Sequence, residues 1–338
     1  MKVIGKLSED SYRSPRPTIL LCCNGISHLE MARHLCVCPE YDYIIFYNTE
    51  DLNEIGSACK ATNIKFSNDI DLIFSSLHTF DLIFSFNTLT SPYHTYSAPF
   101  LPVAKQVGIP IIEIQHGLFQ FGINYYDDSK ILSFADPRYG QGKIRSFADH
   151  QICWFGEDGI GYPRSPKTPA YKPENLKFIL LATNLNWYLY SDQDRLHWIN
   201  LIRNICEKFR DFTFIWKPHP AEINVIKAYH DCMKAIEHSN LWLYGMKNDI
   251  FFHGVESHED LINLCQAGIT TPGTSILDFA ICNKPFTVFN TEATSELNSR
   301  FQNMLTYSTE EELSNFCSGL RSNSIQPYKL DLDLSFKP

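Results

Sequence analysis

Three short segments hold residues whose types and spacing could do chemistry. Residues 216–220 read WKPHP, residues 269–279 read ITTPGTSILDF and residues 115–117 read QHG. Pro218 and Pro220 restrict the backbone on both sides of His219, so the imidazole is aimed, and Lys217 adds a cation beside it. Gly273 lets the backbone approach an anion closely, and Thr274 and Ser275 add hydroxyls. A helix starting there would also present free N–H groups and the positive end of its dipole. Lys217, His219, Pro220, Gly273, Thr274 and Ser275 are thus the expected grip on a phosphate or diphosphate, with no metal needed. Asp278, about one turn after Thr274, is placed either for ribose hydroxyls or simply for the helix's first turn. His116 is the candidate general base, because an imidazole titrates near working pH. Glu113, three residues earlier on a strand, is its expected support.

Each motif has an ordinary reading as well: a turn histidine for His219 and His116, a helix cap for Thr274 and Ser275. Glu157-Asp158-Gly159 reads first as a solvated turn and second as a carboxylate, Asp158, serving the acceptor. Residues 24–28, NGISH, form a loop at the end of the first strand. There Asn24 and Gly25, with Gln115 nearby in function, are candidates for contacting phosphate or acceptor.

The elements that must position these residues follow from apolar runs alternating with helical stretches. Strands are expected at Thr18–Cys23, Tyr43–Tyr47, Ile109–Ile114, Ile152–Phe155, Phe178–Ala182, Phe212–Trp216, Ile250–Phe252 and from Ile269. Further apolar runs lie at Asp71–Ser75 and Asp81–Phe86. Helices are expected from Ser27 as cap through Met31–Leu35, and at Ala98–Val107, Asp192–Phe209, Asn224–His238, Glu259–Gln266 with Ser257 as cap, and Thr309–Leu320. Buried strands alternating with helices imply α/β architecture with parallel sheets covered on both faces. The pattern restarts after a proline-rich stretch, Gly159–Pro173. Two Rossmann-like domains facing a central cleft are therefore expected, 1–160 and 161–320, followed by a tail, 321–338. In such sheets ligands bind at the carboxyl ends of strands, which is where the three motifs fall.

Composition narrows the classes. A chain of 338 residues, 44% hydrophobic and 20% charged, supports a large core and two domains. A net charge of -9 argues against nucleic acid as partner. Eleven cysteines without a compact framework point to free thiols in a reducing compartment, and Cys36-Val-Cys38 lacks metal-site spacing. No apolar run reaches membrane-spanning length, so the expected location is cytoplasmic, with peripheral association at the inner membrane face as an option. No P-loop, G-x-S-x-G, H-E-x-x-H or G-x-G-x-x-G occurs, so kinase, serine hydrolase, zincin and dinucleotide-cofactor readings lack their parts.

Taken together, Gln115-His116-Gly117, Lys217-Pro218-His219-Pro220 and Ile269–Phe279 with Lys284-Pro285 resemble the GT-B glycosyltransferases of bacterial surface polysaccharide synthesis, capsule and lipopolysaccharide among them. The pattern is similar to that of capsule Kdo transferases and CDP-glycerol glycerophosphotransferases, and to bacterial sialyltransferases through an HP motif and a later Ser/Thr pair. It spans roughly residues 105–290. The Asp-Tyr that precedes the pair in glycerophosphotransferases is replaced by Thr271-Pro272-Gly273, which counts against a polymer-type phosphotransferase. The resemblance implies a C-terminal half binding a nucleotide-activated donor, with CMP-Kdo or CMP-sialic acid as the type. His219 and Thr274-Ser275 would hold its phosphate. The N-terminal half would take a glycan or glycolipid acceptor. It also implies a base at His116 or, by the sialyltransferase pattern, at Asp158. The nucleotide sugar is then a substrate, and no cofactor is implied. The alternatives are a CDP-glycerol-type phosphotransferase, a sugar-nucleotide epimerase and a non-catalytic sugar-nucleotide or polysaccharide-binding protein.

Overall fold

The structure is a computed structural model. It describes residues 15–24, 26–47, 64–89, 98–118, 146–155, 159–163, 177–185, 189–219, 222, 240–244, 258–295, 298, 301 and 303–330. Two compact units divide between Arg164 and Ser165. Each is built on a six-stranded sheet in which every strand pairing is parallel.

In unit 1 the strands are β1 (Thr18–Cys23), β2 (Asp42–Tyr47), β3 (Lys65–Ser67), β4 (Leu82–Ser85), β5 (Ile111–Ile114) and β6 (His150–Ile152). Their order across the sheet is β3-β2-β1-β4-β5-β6. The helices are α1 (Ile26–Leu35), α2 (Ile70–Ser75) and α3 (Leu101–Gln106). All six side chains of β1 are buried, as a central parallel strand covered on both faces requires. Leu20, Cys22, Ile44, Phe46, Ile73, Phe100, Leu101 and Ile111 form one core cluster there.

Several expectations change in detail. Asp71–Ser75, read only as an apolar run, is helix α2. Asp69 caps it by accepting the Leu72 N–H at 3.0 Å, and Ile73 turns inward. Helix α1 begins at Ile26, so Ser27 lies inside its first turn and is not its cap. The strand expected at Ile152–Phe155 is β6, which ends at Ile152, and Trp154 turns into the interior. The start of the expected linker folds back onto unit 1. The Ile160 N–H donates to the Cys153 carbonyl at 3.0 Å and the Gly161 N–H to that of Trp154 at 2.8 Å, and Tyr162 packs edge-on to Trp154. A Cβ at Gly159 would lie 2.7 Å from the Trp154 carbonyl oxygen, so that turn needs glycine.

Unit 2 repeats the design with β7 (Phe178–Thr183), β8 (Thr213–Pro218), β9 (Leu241–Leu243), β10 (Ala267–Thr270), β11 (Phe286–Phe289) and β12 (Thr306–Tyr307). Its order is β12-β11-β10-β7-β8-β9, so in both units the first and fourth strands of the unit lie side by side at the centre. That is the Rossmann order, whose switch point lies between those two strands. The helices are α4 (Asp192–Lys208), α5 (His258–Leu264), α6 (Ser275–Ile281) and α7 (Glu310–Arg321). Ser191 and Thr309 form capping boxes with Asp194 and Glu312 at the starts of α4 and α7. α4 buries Trp198, Ile202 and Ile205 in the cluster that also holds Trp216, Phe289 and Phe316.

Strand β8 runs two residues past Trp216, pairing Lys217 with Ala182 and Pro218 with Thr183. Pro218 ends the strand, a position that tolerates the missing N–H. Strand β9 was not expected. The helix expected at Asn224–His238, the strand at Ile250–Phe252 and the cap at Ser257 lie outside the described residues. Among the described residues no helix is long and apolar enough to cross a membrane.

Gly268 sets how closely helix α6 approaches the sheet. A Cβ on it would sit 2.2 Å from the Phe279 ring, which is fully buried. Gly268→Ala should therefore destabilise unit 2 by roughly 1–3 kcal/mol through overpacking, and it should displace α6 with Ser275 on it. Chemical denaturation compared with Gly273→Ala is the check, since a Cβ at Gly273 meets nothing nearer than the Thr271 carbonyl at 3.8 Å.

Candidate functional site

The carboxyl edge of the unit 2 sheet brings four loops together. After β10, Thr271 is tied across the switch point: its hydroxyl accepts the Asn184 N–H at 2.9 Å, just past β7. The Thr270 hydroxyl donates to the Ala182 carbonyl at 2.7 Å. These bonds fix the start of the loop that carries Gly273, Thr274 and Ser275, all half-buried. Thr274 is the residue preceding α6, and its side chain makes no capping bond to that helix. α6 has only seven residues, so its dipole adds little, and any grip on an anion rests mainly on side chains and loop amides.

His219 follows β8 directly. Its N–H donates to the Thr183 carbonyl at 2.8 Å and to Glu222 Oε2 at 3.0 Å. Glu222 is fully buried and accepts the Thr183 hydroxyl at 3.0 Å. That hydroxyl in turn accepts the Trp216 indole N–H at 2.8 Å. The chain Trp216–Thr183–Glu222–His219 locks the loop after β8 to the end of β7. Burial pushes the Glu222 carboxyl up to about 7, against the lowering effect of the N–H and hydroxyl groups that donate to it. His219 itself is exposed at the end of β8. Desolvation there, then the nearby charges of Lys217 and His258, lower its pKa to about 4, so the ring is neutral near pH 7.

His258, the first residue of α5, faces the start of α6. Its Nε2 lies 3.4 Å from the Ser275 hydroxyl and 3.6 Å from Asp278 Oδ2. Asp278 is 7% exposed, so it sits in the interior beside His258 with only a narrow face to solvent. The edge therefore carries two imidazoles, an ammonium, two hydroxyls and two buried carboxyl groups, Asp278 and Glu222. Such a set can bind a phosphate by charge and hydrogen bonds, and it can release or take up a proton at an imidazole. Glu222 and His258 escaped the reading of the sequence. The spacing His219-x-x-Glu222 within one turn was the available signal for the first. The second is brought in across 17 residues by the fold.

In unit 1 His116 lies just beyond β5, half-buried, in ring contact with His28 and Phe86. Glu113 is fully buried within β5. It accepts the Thr88 hydroxyl at 2.5 Å and that of Ser146 at 3.4 Å, so its carboxylate ties β5 to the segment after β4 and the segment before β6. Gln115 is equally buried. Its carbonyl oxygen accepts the Trp154 N–H at 2.7 Å and its amide donates to the Gly117 carbonyl at 3.0 Å, which shapes the turn around His116. Asn24 is exposed, and its N–H donates to His28 Nδ1 at 3.3 Å. Gly25, Asp158 and Pro220 lie outside the described residues.

No protein-family model matches the chain, and a search of curated proteins finds no relative. Solved structures do match. The UDP-GlcNAc 2-epimerase of Neisseria meningitidis bound to UDP-GlcNAc is 12% identical with a TM-score of 0.60, over 90% of this chain and 91% of that one. The UDP-GlcNAc 2-epimerase of Methanocaldococcus jannaschii in complex with UDP-GlcNAc and UDP gives 12% and 0.59, over 96% of each. A glycosyltransferase from Rickettsia africae gives 14% and 0.51, over 91% and 89%. At such identities the likeness is one of fold, and with its two Rossmann-ordered parallel sheets this chain has the two-domain α/β architecture of GT-B enzymes.

Proposed function

We propose that the protein is a nucleotide-sugar-processing enzyme, and that its reaction is glycosyl transfer to a hydroxyl acceptor without a metal. The observation that carries this reading is the edge of unit 2, where Lys217, His219, Ser275, His258 and Asp278 converge at the switch point of a Rossmann sheet. That is the place where such sheets bind nucleotides. Lys217, His219 and the Thr274-Ser275 loop hold the donor phosphate and stabilise the charge that grows on it as the glycosidic bond to phosphate breaks. His116 removes the proton of the acceptor hydroxyl, whose oxygen forms the new bond at the anomeric carbon. By the motif resemblance the donor is a CMP-sugar such as Kdo or sialic acid, and the acceptor a bacterial surface glycan or glycolipid.

A second reading, sugar-nucleotide epimerisation, is favoured by the solved structures with the same fold, several of which are UDP-GlcNAc 2-epimerases. The two separate on products: an epimerase converts its donor with no acceptor present, whereas a transferase consumes acceptor and releases nucleotide.

A thermal-shift panel of CMP, CDP, UMP, UDP and GDP tests the shared premise. A ligand at about 100 times its Kd stabilises the folded protein by about 2.7 kcal/mol, which moves the midpoint measurably. A response confined to CMP supports a CMP-sugar donor, one to CDP a CDP-glycerol type, and one to UDP the epimerase reading. No response to any of the five overturns nucleotide-sugar processing.

A further inference from the structure

The carboxyl edge of the unit 1 sheet gathers aromatic and ionisable rings of its own. β1 and β4 are the strands between which the order reverses, and β5 flanks β4. His28, one turn into the chain after β1, is 6% exposed. It stacks on Phe86, just past β4, with ring centroids 4.5 Å apart and planes 22° apart. His116, just past β5, meets His28 at 4.6 Å with its ring turned by 72°, and lies 6.2 Å from Phe86. Three strand ends thus converge on one aromatic contact.

The hydrogen bond at His28 divides the labour between the two imidazoles. The Asn24 backbone N–H donates to His28 Nδ1. A backbone amide can only donate, so Nδ1 is the accepting nitrogen and the proton of the neutral ring sits on Nε2. Charging His28 would place a second proton on Nδ1, against that N–H, in a buried position. Two imidazoles at this separation also resist being charged together. His28 is therefore poorly suited to move a proton, whereas His116 stands half-buried at the mouth of the same group.

We propose that His28 is a positioning residue for His116: a neutral Nε2–H ring, held by Asn24 and Phe86, that fixes the orientation in which His116 works. This rests on the reading of His116 as the base. In the step, the acceptor O–H bond breaks toward His116 and the acceptor oxygen bonds to the anomeric carbon. The electron pair of the breaking C–O bond leaves on phosphate. His28 neither gains nor loses a proton.

The full-length chain with isotope-labelled histidine rings tests this by NMR between about pH 5.5 and 8.5, the range in which imidazoles titrate. The ring signal lost in His28→Phe is expected to show the Nε2–H tautomer and to stay there across the range. The signal lost in His116→Asn is expected to titrate, and its midpoint to move in His28→Ala. A titrating His28, an Nδ1–H tautomer, or an unmoved His116 midpoint in His28→Ala overturns the proposal. The tautomer is read in the unmodified protein, so a variant that fails to fold does not remove the test. In turnover, His28→Ala should lose about 100-fold in kcat, the usual worth of a well-placed base, with the donor KM unchanged. His28→Phe, which keeps a flat ring against Phe86, should recover part of that loss, and equal rates in both variants count against positioning. An absence of nucleotide binding and turnover defeats the functional reading alone, while a titrating His28 in an active protein defeats only this one.

Discussion

His219→Ala lowers turnover of the nucleotide-sugar donor by about 100- to 1,000-fold and leaves the melting temperature almost unchanged; that is the expected result of removing one donor aimed at a developing charge. The ring has accessible surface, and the His219 backbone N–H ties its loop to the Thr183 carbonyl and to Glu222. The same ring predicts a pH effect. In the free protein its pKa is lowered to about 4, so it is neutral near pH 7. A bound phosphate raises that pKa, so binding takes up a proton, and nucleotide affinity grows as pH falls from 7 toward about 4. Phosphate titrates in part of this window too, so the measurement is the difference in the slope of log Kd against pH between the natural protein and His219→Ala. Parallel slopes together with near-natural turnover would sink the assignment.

The second large effect belongs to Glu222 and is one of stability. Glu222→Ala leaves the Thr183 hydroxyl without its acceptor in a buried place, at roughly 1–3 kcal/mol, while the His219 N–H keeps the Thr183 carbonyl. A loss of about 1–3 kcal/mol is expected, which lowers the melting temperature of a unit this size by about 2–4 °C per kcal/mol. Glu222→Gln, with nearly the same shape and no charge, should separate the carboxylate's charge from its shape. The carboxyl pKa is raised from 4.5 to about 7 by folding, so between those values the folded state holds the proton that the unfolded state has lost. Stability therefore falls as pH rises from 4.5 to 7 and levels off above. The difference between 4.5 and about 7, at about 1.4 kcal/mol per pH unit, bounds the effect at about 3.5 kcal/mol. Glu222→Gln should flatten this slope in denaturation series across that range. An unaltered slope would mean that Glu222 is ionised throughout, with its donors outweighing its burial.

The sheet architecture was legible because long parallel strands are buried on both faces and leave continuous apolar runs such as Thr18–Cys23 and Phe178–Thr183. The edge strands were not. β3, β9 and β12 are two or three residues long, half-exposed or exposed in part, and carry too few apolar residues for any period to show. Ile70–Ser75 read ambiguously because six residues barely exceed one helical turn, and the Asp69 cap decided what the apolar run could not. The loop residues at the unit 2 edge were visible as motifs, since Pro218, Gly273 and paired hydroxyls leave local signatures. What the sequence could not show is which side chains meet. Thr183 reaches Glu222 across 39 residues and His258 reaches Ser275 across 17, and neither distance leaves a trace in spacing. Glu113 and Gln115 looked like parts of a motif with His116. The fold turns both inward, Glu113 on β5 and Gln115 just beyond it, and each has found a partner there.

The short outer strands have a consequence for how this chain behaves at high concentration. Among the described residues each sheet ends on both sides in a strand of only two or three residues: β3 and β6 in unit 1, β9 and β12 in unit 2. An open parallel sheet leaves a row of unpaired amides at each border, a template on which another chain can add a strand. Here that template is too short to hold one. Exposed Lys65 on β3 and exposed His150 on β6 make two of the borders polar as well. Among the described residues the long, pairing-competent strands thus lie in the interiors of the two sheets, and the borders they show offer little for strand addition, by geometry before surface charge plays any part.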